Sequence, residues 1–250
     1  MEYPEFIARF YDTVYAKIRS GQDHAYYMEK IKATSGPVLE IGVGTGRFFF
    51  EALEQGADIY GVDISAEMVK VLKKKLPPDA HARLFIQDAV HLKIPVRFDL
   101  VIAPFRMFSH ILKTEDQLRF FRCVADHLKP GGQFIMDVFV PDLALIQEGL
   151  KNFTDFEGET EDGINIKRTV SMSSNLIEQV STIEMTFHWG EKEYEKMESW
   201  GFKMRYFFRY ELEHLIARSP LKLNQIFGSF NEDHLQADSR EFLVVCSKPN

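Results

Sequence analysis

The sequence predicts an α/β fold, doubly wound about a mostly parallel sheet, with an antiparallel strand insertion late in the chain. Three observations predict it. Short apolar runs alternate with helical stretches between residues 36 and 140, the pattern of right-handed βαβ units whose helices cover both faces of a sheet. A glycine-rich turn, Gly42-Val43-Gly44-Thr45-Gly46, follows the first apolar run. Past residue 150 the apolar period shifts to two, as in strands with one buried face.

The elements follow in order. Ile7, Tyr11, Val14, Tyr15 and Ile18 form one helical stripe, broken at Gly21, and His24 to Lys32 reads as a second helix. Val38 to Ile41 is a first buried strand. Arg47 to Gln55 is a helix closed by Gly56, a C-cap residue type. Asp58 to Val62 is the second strand, and Ser65 caps a helix running to about Lys75, stopped by Pro77-Pro78. Arg83 to Ile86 is the third strand and Phe98 to Ala103 the fourth. Thr114 and Gln117 have capping-box spacing and open a helix to Leu128. Pro130-Gly131-Gly132 turns the chain into a fifth strand, Gln133 to Val140. In the insertion, Ile164, Ile166, Val170 and Met172 share one strand face, with a turn at Ser173-Ser174-Asn175. Ile183, Met185, Phe187 and Trp189 share a second face, and Trp200 to Phe208 a third. A helix (Tyr210 to Arg218) and two strands (Leu223 to Phe227, Phe242 to Cys246) finish the chain. The boundaries expected are an N-terminal helical cover over 1–35, a core over 36–140, inserted strands over 151–208 and the end of the core sheet over 209–250. No linker composition intervenes, so one domain over 1–250 is expected.

Composition narrows the function classes. The chain has 250 residues, 45% hydrophobic and 27% charged, with formal net charge −7, ordinary for a globular protein. The acidic balance argues against nucleic acid as main partner, because phosphate binding depends on Lys and Arg. No apolar run approaches the roughly 20 residues of a membrane span, so no membrane partner is expected. The first residues show neither a basic n-region nor an apolar h-region. Cys123 and Cys246 offer no disulfide framework and no metal spacing, so a cytoplasmic location and no metal are expected. Lys73-Lys74-Lys75 at a helix end reads as dipole complementarity and solvated charge.

The candidate site lies at the carboxyl ends of the strands, where open parallel sheets bind ligands. Strand 1 carries Glu40 and runs into the glycine turn. Strand 2 ends in Asp63, and strand 3 in Gln87-Asp88. A glycine turn brings main-chain N–H groups to a ligand. A carboxylate ending strand 2 can accept both hydroxyls of a ribose, and one ending strand 3 can accept from an exocyclic amine. Each residue alone could serve a turn or a helix cap; the three together make a nucleotide-sized set. The dinucleotide fingerprint requires a third glycine where Arg47 stands. Glu40 beside the loop suits a cationic ligand, an ammonium or sulfonium, better than a pyrophosphate.

Leu39-Glu40-Ile41-Gly42-Val43-Gly44-Thr45-Gly46 resembles motif I of the class I S-adenosylmethionine-dependent methyltransferases. Gly61-Val62-Asp63-Ile64-Ser65 resembles their strand 2 end, Gln87-Asp88-Ala89 their adenine-binding turn, Phe98 to Ala103 their strand 4, and Leu128-Lys129-Pro130-Gly131-Gly132 the turn before strand 5. The resemblance spans about residues 36 to 140, with Glu40 where aspartate is also common. It implies a seven-stranded sheet of order 3-2-1-4-5-7-6 with an antiparallel last strand. It implies that Gly42, Gly44 and Gly46 cradle the methionine part of S-adenosyl-L-methionine and that Glu40 meets its ammonium. It further implies that Asp63 holds the ribose, that Ile64 and Met68 lie against the cofactor, and that Asp88 and Ala89 meet the adenine. S-adenosyl-L-homocysteine would be the product. The Tyr11-Asp12-x-x-Tyr15 helix and the insertion resemble the amino-sugar N,N-dimethyltransferases. That resemblance implies that Tyr11 and Tyr15 lid the cofactor and that the inserted strands cover substrate or form a homodimer.

The acceptor side is less determined. The segment Pro104 to His110 would floor a substrate pocket holding Phe105, Arg106 and His110. His110 is the candidate general base by type, with packing beside the next helix as the alternative. Arg106 suits a substrate carboxylate or phosphate, with an internal ion pair as the alternative. The Trp200 to Phe208 face could shape a cavity, a dimer contact or plain core. Enzymes acting on exocyclic base amines carry Asn/Asp-Pro-Pro-aromatic after strand 4. Ala103-Pro104-Phe105-Arg106 departs from it and lowers the case for a nucleic-acid substrate. The expected function is methyl transfer to a small-molecule acceptor, nitrogen favoured over oxygen. A nicotinamide-dependent oxidoreductase and a non-catalytic cofactor-binding module are the alternatives.

Overall fold

The computed structural model describes residues 2–18, 21–191 and 194–250. Met1, Arg19 and Ser20, part of the expected N-terminal cover, lie outside the described residues. Two helices, α1 (Glu5–Ile18) and α2 (Gln22–Ala33), precede the sheet. The core then alternates as expected: β1 (Val38–Ile41), α3 (Phe49–Glu54), β2 (Ile59–Asp63), α4 (Ala66–Lys75), β3 (Leu84–Ile86), β4 (Phe98–Ala103), α5 (Thr114–His127), β5 (Leu128–Phe139). A short helix α6 (Leu143–Glu148) leads into β6 (Leu150–Glu159), β7 (Asn165–Asn175), β8 (Val180–Gly190) and β9 (Lys196–Arg205). The chain closes with α7 (Arg209–Ala217), β10 (Lys222–Phe227) and β11 (Glu241–Ser247).

Among the described residues the main sheet has seven strands in the order β3-β2-β1-β4-β5-β11-β10. Counted as core strands this is 3-2-1-4-5-7-6, as the resemblance implied. The pairs from β3 to β5 are parallel. β11 runs antiparallel to β5, with Glu241 opposite Phe139 and Ser247 opposite Gln133. Alternation sends Leu39, Ile41 and Val101 to one face against α5 and α7. Val38, Leu100 and Ile102 go to the other, against α2, α3 and α4. Burial on both faces is why these strands read as unbroken apolar runs.

The insertion is a second sheet, order β6-β7-β8-β9, antiparallel throughout. α1 lies between the two layers. Its Phe6 and Phe10 pack on Phe187 and Trp189 of β8, ring centroids 5.4–6.2 Å apart. α1 therefore buries a second face, Phe6 and Phe10, beyond the stripe read from sequence, and Ile18 of that stripe is 41% exposed. No helix among the described residues is long and apolar enough to cross a membrane.

Several local expectations need correction. The helix expected from Arg47 begins at Phe49, because Arg47 is held by Asp23 of α2 through two hydrogen bonds of 2.5 and 2.6 Å. No capping box forms at Thr114. Lys113 occupies the cap position, and Gln117 Nε2 donates to Ile111 O at 2.7 Å. Pro130-Gly131-Gly132 lies inside β5 at a register shift. Ser173 to Asn175 continues β7, and residues 176–179 make the turn. There Asn175 Oδ1 accepts from the N–H groups of Ile177 and Glu178, although Ile177 is apolar and 89% exposed. β9 ends at Arg205, short of Phe208. β6 and α6 were not foreseen. Two register shifts in the β6–β7 pairing, with Asn152 at φ 46°, break the period-two pattern of β6. Lys75 is not merely solvated charge: its Nζ donates to Asp12 Oδ2 at 2.5 Å and to Thr45 O at 2.9 Å.

Candidate active site

A cavity of about 580 Å³ opens at the carboxyl ends of β1, β2, β3 and β4. It extends between the main sheet and the insertion, under α1. It is lined at one end by Glu40, Gly42, Gly44, Asp63, Ile64, Met68, Asp88 and Ala89. Tyr11 and Tyr15 of α1 border it, ring centroids 4.4 Å apart. Phe105, Arg106 and His110 line it toward the insertion. The sequence-predicted residues thus converge on one space, with one exception. Gly46 is off the cavity wall. Its φ is +88° and a Cβ there would stand 2.2 Å from Leu72 of α4, so it lets the loop pack on the helix from behind. Gly44, φ +55°, faces open space on the cavity side, where a Cβ would meet only Gly42 O at 3.9 Å.

The loop geometry follows from its hydrogen bonds. Gly42 N–H donates to Val62 O at 2.8 Å, joining the turn to β2. Asp63 Oδ2 accepts from Gly44 N–H and Oδ1 from Ser65 N–H, both at 2.8 Å. These bonds aim the carboxylate and leave each oxygen a further lone pair. Burial pushes Asp63 up, opposed by those N–H groups. Asp88 Oδ1 accepts from Val90 N–H at 3.1 Å, capping a one-turn helix over Ala89–His91. It therefore performs the cap read as the alternative while standing on the cavity wall. Thr45 Oγ1 donates to Asp12 Oδ1 at 2.6 Å, so α1 is fastened to the glycine loop.

Glu40 is 1% exposed and its Oε2 has no hydrogen-bond partner among the described residues. Burial pushes its pKa well above the usual carboxylate range; Arg47 opposes and Asp63 reinforces the rise. A buried carboxylate oxygen of this kind calls for a cation. With the bare wall at Gly44 and the aimed Asp63, the donor set fits a ligand carrying an ammonium and a ribose.

Arg106 does not project freely into the cavity: its Nη2 donates to Glu241 Oε1 at 2.6 Å. The internal ion pair, not a free anion site, is what forms. Phe105 and Arg106 both adopt left-handed backbone, φ 56° and 60°. The fully buried Asp137 of β5 holds them there. Its Oδ1 accepts from Phe105 N–H (2.8 Å) and Tyr27 O–H (2.7 Å), and its Oδ2 from Arg106 N–H (3.0 Å). Sequence reasoning missed Asp137, although a charge within Phe134-Ile135-Met136-Asp137-Val138 was a visible signal. It also missed Arg168, which interrupts the apolar face of β7 between Ile166 and Val170.

His110 lies against Phe202, ring centroids 5.7 Å apart. Burial lowers its pKa from 6.5 to about 4, against a hydrogen bond with the Lys203 backbone. Its folded pKa is depressed, so the unfolded chain binds more protons between these values. The stability it contributes is present above pH 6.5 and lost as pH falls toward 4. Urea unfolding at pH 7 and pH 5 is expected to show this loss, and His110→Gln to reduce it. An equal pH effect in wild type and variant would show that His110 is not buried uncharged.

This fold and cavity define the class I S-adenosylmethionine-dependent methyltransferases, and the chain belongs to them. A methyltransferase domain model matches residues 38–132. The chain is 30% identical over 253 residues to a cypemycin N-terminal methyltransferase of Streptomyces, covering 98% of this chain and 97% of that protein. It superposes on an S-adenosylmethionine-dependent methyltransferase from Clostridium acetobutylicum with TM-score 0.76 at 19% identity, covering 98% of each chain. A sugar N-methyltransferase from Streptoalloteichus also superposes with TM-score 0.76, at 16% identity, covering all of this chain and 94% of that one. S-adenosylmethionine is the methyl donor, and the protein is an enzyme of transfer chemistry, not of hydride transfer.

Proposed function

We propose that this enzyme methylates a nitrogen of a small-molecule acceptor, with the donor held by the residues gathered at the strand ends. The unpartnered Oε2 of Glu40 carries the donor half of this reading. When bound, S-adenosylmethionine supplies a methyl group already activated on a sulfonium. Glu40 takes the ammonium of its amino-acid end. Gly42 and Gly44 present a main-chain wall to that end. Asp63 accepts the ribose hydroxyls, Ile64 and Met68 pack against the adenosyl group, and Asp88 and Ala89 meet the adenine edge. Tyr11 and Tyr15 close the cavity from α1, and Asp12 fastens that cover.

The nitrogen preference is supported by the relatives, whose names specify N-terminal and sugar N-methylation. His110 supports it from the chain itself. A proton affinity this low makes a poor general base, since efficient bases titrate near the working pH. It makes a good neutral acceptor, and its Nδ1 is buried without a partner. We assign it to holding an acceptor N–H, so that the nitrogen lone pair is aimed and water excluded.

Titration with S-adenosylhomocysteine tests the donor half. Glu40 must be ionised to meet the ammonium, and burial raises its pKa in the free protein. Binding is therefore expected to release protons, and affinity to rise with pH through that raised pKa. Calorimetry in buffers of different ionisation enthalpy reads the release, and Glu40→Gln is expected to diminish it and weaken binding. Absence of S-adenosylhomocysteine binding would overturn the site assignment.

A further inference from the structure

The face of the insertion turned toward α1 and the cavity is built from alternate residues of β8 and β9. Ile183 stands opposite Phe202 and Met185 opposite Trp200. Their chain neighbours Glu184 and Gly201 are exposed on the outer face. Met185, Trp200, Phe202 and Met204 lie on the inner face, yet they are only half-buried, and all four line the cavity. The surface they keep is therefore cavity surface. It is made of thioethers and rings, with Trp200 stacked on Phe202 at 4.7 Å between centroids.

The charges around this space are committed elsewhere. Arg106 donates to Glu241 at 2.6 Å. Arg168 holds Asp155 through two hydrogen bonds of 2.9 and 2.6 Å and has the Tyr15 hydroxyl as a further partner. Asp116 accepts from Arg119 at 2.8 Å. Lys113 also lines the cavity, but it stands exposed at the cap of α5. A carboxylate or phosphate seated against β8 and β9 would give up water without gaining a cation. A hydroxylated body would turn its O–H groups to rings and thioethers, where each unpaired group costs free energy. An apolar body gains by every part of the wall it covers. His110, assigned above to the acceptor nitrogen, stands against Phe202 with ring centroids 5.7 Å apart, so one small molecule reaches both.

We propose that the acceptor is a hydrophobic amine without an anionic group, its body seated on the inner faces of β8 and β9. This rests on the methyltransferase reading above and names the substrate class of that same cavity. Met185, Trp200, Phe202 and Met204 are thereby specificity-determining residues.

Four amines test it on the protein saturated with S-adenosylhomocysteine: 2-phenylethylamine, phenylalanine, glucosamine and glucosamine 6-phosphate. They vary the body, apolar or hydroxylated, and the anion, absent or present, independently. Calorimetry is expected to show 2-phenylethylamine binding at least about 10-fold tighter than each of the others, the scale set by burying a ring and by sparing an anion its desolvation. Phe202→Ala removes one ring of the wall and is expected to weaken 2-phenylethylamine by about 5-fold or more, while S-adenosylhomocysteine affinity stays. If that variant fails to fold, the order of the four in wild type decides. Tightest binding of phenylalanine or of either sugar, equal binding of all four, no binding of any at millimolar concentration, or an affinity for 2-phenylethylamine that Phe202→Ala leaves unchanged would each overturn the proposal. Failure of S-adenosylhomocysteine to bind is read separately and strikes the donor assignment instead.

Discussion

Asp137→Ala is expected to destabilise the protein by about 3 kcal/mol or more. The change strands three donors together, the Tyr27 hydroxyl and the N–H groups of Phe105 and Arg106, and each unsatisfied buried group costs about 1–3 kcal/mol. Tyr27 is fully buried, so water does not replace the lost acceptor. The backbone adds to the effect. Two successive non-glycine residues in left-handed conformation each cost roughly 1–2 kcal/mol, and Asp137 is what holds them. Asp137→Asn keeps the volume but turns an N–H₂ toward donors, so it is expected to fall between wild type and Ala. Urea unfolding monitors both. The same loop floors the acceptor side of the cavity, so the loss of stability is expected to come with a loosened His110. A midpoint for Asp137→Ala equal to wild type would show that the loop holds its shape unaided.

Asp63→Ala is expected to weaken S-adenosylhomocysteine binding by about 1.5–3 kcal/mol, the range for hydrogen bonds to a charged group. The carboxylate is held at the end of β2 by Gly44 and Ser65 N–H groups, so two effects combine. The ribose loses its acceptor, and the glycine loop loses the anchor that shapes it. Asp63→Asn retains one acceptor oxygen and is expected to lose less. Calorimetric titration separates the three proteins, and an affinity for Asp63→Ala within error of wild type would remove the ribose assignment.

The core was legible because it is buried twice. Strands covered on both faces read as apolar runs, helices between them show their own period, and the glycine turn stands where a strand must give way to a ligand. Glu40 and Asp63 stood out because carboxylates are costly in a packed core, and Asp88, which is exposed, because it follows the third strand at the same edge of the sheet. The insertion was only half legible. β7 and β8 alternate cleanly over Ile164 to Trp189, but β6 carries bulges that shift its face partway along. Gly46 fitted the sequence pattern of a ligand glycine, and only its contact with Leu72 shows it to be a packing glycine.

By itself the sequence determined the alternation of core strands and helices and the set of residues at the strand ends, because burial and turn chemistry are written in local periods; the strand order came from the resemblance of its motifs to a family. Tertiary structure alone decided which of those groups are satisfied and which are not. Arg106 finds Glu241, 135 residues away in sequence, and so leaves the list of free cations. Arg168 of β7 finds Asp155 of β6 through two hydrogen bonds. Pairing of charges depends on distances across the fold, which no local pattern encodes.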